Sequence, residues 1–189
     1  DFPKEVESLL ESMTDHDRQN VWPLIAESPA KLVLHGAHFS NQMTPPPYYE
    51  RFILPYYREL SKFLDGLGKT LVMHADADTS QLFSLLERSG YGMMESFVTD
   101  PMVGTTLRQA RKAWASRVAI WGGVPSVILE EPYSDDEFET YMSSLFDAIA
   151  PGDAFILGVA DNVMPGAKIE RLRRISELVE SHGGLPINA

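Results

Sequence analysis

A parallel α/β sheet of about five strands, with helices on its outside, is the fold class that this sequence predicts. Two observations lead to it. Short apolar runs alternate with longer stretches of helical period, the pattern of strand–helix–strand units joined by right-handed crossovers. The apolar runs also break off sharply into polar residues, as buried parallel strands do where they leave a sheet. The run Lys69-Thr-Leu-Val-Met-His-Ala-Asp-Ala-Asp78 shows this best: Thr70–Met73 reads as strand, and His74, Asp76 and Asp78 follow at once.

The elements follow in order. Glu5–Met13 has Val6, Leu9, Leu10 and Met13 on one helical face. A second short helix covers Asp17–Glu27 despite Pro23, and Ser28-Pro29 breaks it. Lys31–Gly36 is the first strand and contains His35. Ala37–Pro47, with its consecutive prolines, reads as a long loop. Tyr48–Leu64 is an amphipathic helix whose stripe includes Phe52, Tyr56, Leu60, Phe63 and Leu64; Pro55 should kink it, and Gly66 and Gly68 end it. The Lys69–Met73 strand and a Ser80–Ser89 helix come next, then a strand over Gly92–Phe97. Thr105–Ala115 is helical, and Arg117–Trp121 is a strand ending at Gly122-Gly123. Ser134 caps a helix running to Ile149, with Glu137 closing a capping box. Ala154–Gly158 is the last strand and Lys168–Ser181 the last helix. With no interior linker and no repeated sequence, residues 1–189 read as a single domain.

Composition narrows the function classes. The 189-residue chain carries a net charge of −11 with no basic run, which argues against nucleic acid and anionic membrane surfaces as partners. It has no cysteine, so disulfides, thiolate nucleophiles and Cys-ligated metal centres are excluded within it. No apolar run approaches the roughly 20 residues of a membrane span. No secretory leader is visible, and the expected location is the cytoplasm. The chain starts at Asp1 rather than Met, which leaves room for an upstream segment.

Phe52-Ile-Leu-Pro55, then Gly68-Lys69 leading into Val72-Met-His74, resembles the uroporphyrinogen decarboxylase superfamily. The Met-Glu-Ser-Phe97 strand, Trp121-Gly-Gly123 and Leu157-Gly158 fall in the matching order. The resemblance covers nearly the whole chain but only the C-terminal half of such proteins. It implies one half of a (β/α)8 TIM-type barrel. Length agrees, because a full barrel needs about 250 residues. A half barrel leaves sheet edges and one apolar face to cover, so the expected partner is a second copy in a homodimer or a missing N-terminal half.

The superfamily holds porphyrinogen decarboxylases and methyltransferases that act on corrinoid proteins, thiols and methoxylated compounds. Decarboxylases carry Phe-Asp-Ser-Trp, Gly-Asn-Leu-Asp-Pro and Leu-Gly-His-Gly where this chain has Leu34-His-Gly-Ala37, Gly122-Gly-Val-Pro-Ser126 and Leu157-Gly-Val-Ala160. These departures favour the methyltransferase branch, with a corrinoid as methyl carrier, over tetrapyrrole decarboxylation. A non-catalytic fragment of the fold is the third reading. The thiol methyltransferases hold zinc through His-x-Cys and a later Cys. His74 matches the His, Asp76 stands at the first Cys and Val159 near the second.

Strand exits supply the candidate site residues, because barrel enzymes act at the C-terminal ends of their strands. His74, Asp76 and Glu95 are the expected catalytic residues. Glu95 lies among apolar neighbours, where an unpaired carboxylate is costly and needs a partner. His74, Glu95 and His38 are the expected ligands of a divalent metal, zinc first, since histidine with carboxylates suits zinc or a harder ion. His35, Phe97, Trp121 and Asp161 are the expected contacts to a small-molecule substrate. Each has a structural alternative: a hydrogen-bonded strand-end histidine for His74, a helix or turn cap for Asp76, a satisfied inward ring for His35, a salt bridge for Glu95, a loop turn for Asp161, and core packing for Phe97 and Trp121. Asp78 reads as a cap. The Asp135-Asp136-Glu137 run is a helix N-terminus favoured by its dipole.

Overall fold

The computed structural model describes residues 2–184 and 186–187. Its centre is one five-stranded parallel sheet: β1 Leu32–Ala37, β2 Thr70–His74, β3 Met93–Phe97, β4 Ala119–Pro125 and β5 Phe155–Ala160. Each strand pairs with its sequence neighbour, in the order β1-β2-β3-β4-β5. Adding every strand to the same edge produces the arc of a barrel rather than a doubly wound sheet.

The helices are α1 Pro3–His16, α2 Trp22–Glu27, α3 Pro46–Tyr48, α4 Leu54–Asp65, α5 Phe83–Arg88, α6 Leu107–Trp114, α7 Asp135–Ile149 and α8 Ile169–His182. They cover the outer face of the sheet. On β2 the period of two sends Leu71 and Met73 into the core with Leu60 and Leu64 of α4, and Val72 and His74 to the inner face. Trp114 anchors the outer layer against Phe83 and Phe97, its indole N–H donating to the Phe83 carbonyl at 3.1 Å. Arg171 on α8 is also buried. Its guanidinium donates to the carbonyls of Ile128, Glu130 and Tyr133 and to Asp135, so its charge is fully partnered.

Several elements differ from their sequence expectation for local reasons. The helix expected from Ser80 begins only at Phe83. The N–H groups of Ser80 and Gln81 are taken by the side chains of Asp78 (3.0 Å) and Asn41 (2.9 Å), which hold a turn instead. Pro55 interrupts its helix through a π-helical turn over Tyr49–Ile53, where the coil widens just before the residue that lacks an N–H. β4 does not stop at Gly122-Gly123 but runs through them to Pro125, and β5 extends to Ala160. The capping box of Ser134 and Glu137 forms as expected, and Thr106 with Gln109 makes a second one.

The inner face is open. Leu32, Leu34, Trp121 and Ile156 are exposed on it at 49%, 59%, 39% and 44%. Leu32, Leu34 and Trp121 surround a cleft of about 460 Å³ shared with Val72, His74, Glu95 and Asp161. Among the described residues, no helix is long and apolar enough to cross a membrane.

Candidate active site at the strand exits

β2 and β3 run in register, with His74 opposite Glu95, so both side chains reach the inner face at one height. Glu95 Oε2 lies 2.6 Å from His74 Nδ1. A carboxylate can only accept, so Nδ1 carries the proton. Nε2 then faces two more acceptors, Asp161 Oδ1 at 3.4 Å and Asp76 Oδ2 at 3.6 Å. A neutral ring would hold its Nε2 lone pair near two anionic oxygens. A cation there, either a proton on Nε2 or a metal ion, relieves that repulsion. The pKa of His74 reflects this. Burial pushes it down, but the hydrogen bond to Glu95 and the charges of Asp76, Glu95 and Asp161 outweigh burial and raise it above 6.5.

One ligand atom each from His74, Asp76 and Asp161 lies within 4.8 Å of the others, the sole such cluster among the described residues. An ion with bonds of about 2.1 Å holds its ligand atoms up to about 4.2 Å apart, so these donors are within a short adjustment of closing on one. The donor chemistry therefore fits a divalent ion. Glu95 stands behind His74 as the carboxylate that fixes tautomer and ring orientation in many histidine–metal sites. His38 Nδ1 contacts both oxygens of the Asp76 carboxylate, Oδ2 at 2.8 Å and Oδ1 at 2.9 Å, and the two imidazoles meet edge to face.

Two bulges shape the site. Met94 pairs with Ile120, yet Phe97, not Ser96, pairs with Gly122, so β3 carries one extra residue. Ser96 takes φ 56 in this bulge. As a result Glu95 reaches His74 while Ser96 Oγ donates to Asp161 Oδ1 at 3.4 Å. Gly122 allows it: at φ +144 its missing Cβ would lie 2.6 Å from the Phe97 backbone nitrogen. A glycine inside a strand is the sequence signal of such a close approach. In β1, Leu34 pairs with Val72 and Ala37 with His74, again with one residue extra. Gly36, at φ +95, fits beneath the hydroxyls of Tyr91 and Tyr57 there, and His38 follows at φ 58.

These placements sort the sequence candidates. His74, Asp76, Glu95, His38, Trp121 and Asp161 come together around the inner-face cleft or its rim. His35 does not. Leu34 points into the cleft, so its neighbour points outward, where Tyr57 and Tyr56 hydroxyls lie 3.3 Å from Nδ1 and Nε2 respectively. Burial there lowers its pKa. Phe97 is also misplaced by the expectation: the bulge turns it into the outer core, where it is fully buried against Trp114. Glu95 and His38, expected as ligands, pair with His74 and Asp76. Ser96 was not anticipated at all.

A sequential parallel arc with a histidine–carboxylate cluster at its strand exits is the C-terminal face of half a (β/α)-barrel, the face where enzymes of that fold place their chemistry. The chain belongs to the uroporphyrinogen decarboxylase (URO-D) family, whose model matches residues 1–182. It is similar in fold to a methyltransferase from Methanosarcina mazei, with a TM-score of 0.66 and 13% identity over 93% of this chain. The chain spans about half the length of that structure, 49%. No curated protein matches it.

Proposed function

We propose that the chain carries the metal-binding strand exits of a methyltransferase acting on a corrinoid, a thiol or a methoxylated compound. The observation that supports this best is the acceptor-only cluster around His74 Nε2, with Asp161 at 3.4 Å and Asp76 at 3.6 Å. The likeness in fold to a methyltransferase points the same way. His74, Asp76 and Asp161 would hold the ion, zinc or a harder divalent metal, since the Asp76 carboxylate stands where the first thiolate would. When bound it supplies Lewis acidity, polarising an oxygen or lowering the pKa of a thiol or water.

The remaining roles fall to the protein. Glu95 keeps Nδ1 protonated and so leaves the Nε2 lone pair for the cation. Trp121, Leu34 and Val72 wall the cleft with apolar surface. His38, held through Nδ1 and with a side chain 69% exposed, leaves Nε2 for a substrate proton. The open inner face needs a cover, and a second copy or the other half of a barrel supplies one.

Porphyrinogen decarboxylation is the second reading, favoured by the family match over residues 1–182. The departures at Leu34–Ala37, Gly122–Ser126 and Leu157–Ala160 stand against it. The discriminating experiment assays protein loaded with divalent metal in parallel on methylcobalamin with a thiol acceptor and on uroporphyrinogen. Methyl transfer that His74→Ala abolishes is the expected outcome. Porphyrinogen turnover would overturn it, and no turnover of either would favour a non-catalytic scaffold.

A further inference from the structure

We propose that Asp78 is a positioning residue: a latch that binds three strand-exit loops into one rigid frame and thereby fixes Asp76. This rests on the metal-site reading for its purpose but not for its geometry. Asp78 Oδ1 accepts from Thr105 Oγ1 at 2.6 Å, reaching the loop that leaves β3, and from the Ser80 N–H at 3.0 Å within its own loop. The Asp78 carbonyl accepts the Asn41 N–H at 2.9 Å, from the loop that leaves β1. Asn41 returns the contact twice, donating to Ser80 Oγ and accepting the Gln81 N–H, both at 2.9 Å. Thr105 is fully buried, so its hydroxyl has no water to turn to.

What the latch holds is the loop between Ala75 and Asp78. Ala75 is tied to the sheet, its N–H donating to the Glu95 carbonyl at 2.7 Å and its carbonyl accepting the Val98 N–H at 3.2 Å. Asp78 is tied to its neighbouring loops. Asp76 sits between the two anchors, so its carboxylate has little freedom to leave His74 and His38. The Asn41 bond also fixes the loop that carries His38 against the same point. A helix cap alone would explain the Ser80 contact. It would not explain a carboxylate shared with the buried Thr105 hydroxyl of another loop.

The test measures amide hydrogen exchange in the full chain for Asp78→Ala and Thr105→Val against wild type. Asp78→Ala, which removes both hydrogen bonds to Oδ1, should speed exchange at Asn41, Ser80 and Gln81 together by at least about tenfold, with β2 and β4 amides unchanged. Thr105→Val should speed the same three. Asp78→Asn, which keeps an acceptor oxygen, should restore most of the protection. Cobalt(II) binding gives the second readout: affinity about tenfold weaker in Asp78→Ala, with a shifted visible band, and near wild type in Asp78→Asn. Exchange that rises only at Ser80 and Gln81 would reduce Asp78 to a local cap and overturn the proposal. If wild-type protein binds no cobalt, the metal reading fails and the exchange pattern still decides the latch.

Discussion

Glu95→Gln separates an orienting carboxylate from a ligand. Glu95 Oε2 sits 2.6 Å from His74 Nδ1, and the two side chains are about one quarter exposed, at 25% and 23%. The amide side chain would keep the shape and an acceptor oxygen but lose the charge. A hydrogen bond to a charged group contributes about 1.5–3 kcal/mol and a neutral one about 0.5–1.5, so the loss is about 1–1.5 kcal/mol, at the lower end for a partly exposed pair. That converts to about a five- to tenfold weaker grip on a divalent ion through His74. The fold should be little affected, since Glu95 makes no core contact that glutamine would lack. Titration calorimetry with zinc and manganese reads the affinity, and urea denaturation in chelator reads the stability. Affinity unchanged in Glu95→Gln would refute the orienting role. Loss as complete as in His74→Ala would make Glu95 a direct ligand instead.

Further outcomes follow from the geometry. Gly122→Ala places a Cβ 2.6 Å from the Phe97 backbone at φ +144; strain and overpacking together should cost about 2–5 kcal/mol by urea denaturation, and a loss below about 1 would show that β3 and β4 can part. In chelator, two histidines should pull stability in opposite directions about their ordinary pKa of 6.5. His74, raised, stabilises fully below 6.5, and that contribution is lost as pH climbs through its folded value; His35, lowered, costs stability as pH falls below 6.5, where only the unfolded chain takes up the proton. His74→Ala should therefore flatten the alkaline limb alone, and loss of the acid limb in that variant would contradict the assignment. Sedimentation should show association that Leu34→Glu, on the open inner face, weakens; a compact wild-type monomer at micromolar concentration would contradict it.

The sequence made the fold legible because period and punctuation were strong. The Val72-Met73 run ending at His74, and Ser134 with Glu137 before an apolar helix, each pointed to one structure, and the structure has it. Strand exits were legible for the same reason, which is why His74 and Asp76 stood out. What stayed hidden depended on pairing between strands. The extra residue in β3 turns Phe97 to the outside and brings Ser96 to Asp161, and no local pattern encodes a one-residue slip. Gly36 and Gly122, one at the first bulge and one opposite the second, were the visible traces. Asp161 was assigned to substrate because proximity to Nε2 depends on how far β5 extends past Gly158. The Asp78 contacts to Thr105 and Asn41 join loops far apart in sequence and have no period to reveal them.

In the proposed site His74, Asp76 and Asp161 hold one divalent ion between them. Elemental analysis of protein purified without chelator, then dialysed against zinc or manganese, tests it most directly. Wild type should hold about one ion per chain, His74→Ala and Asp161→Ala little or none, and His35→Gln as much as wild type. Wild type that neither retains nor takes up an ion, or Asp161→Ala that binds as wild type does, would contradict the claim.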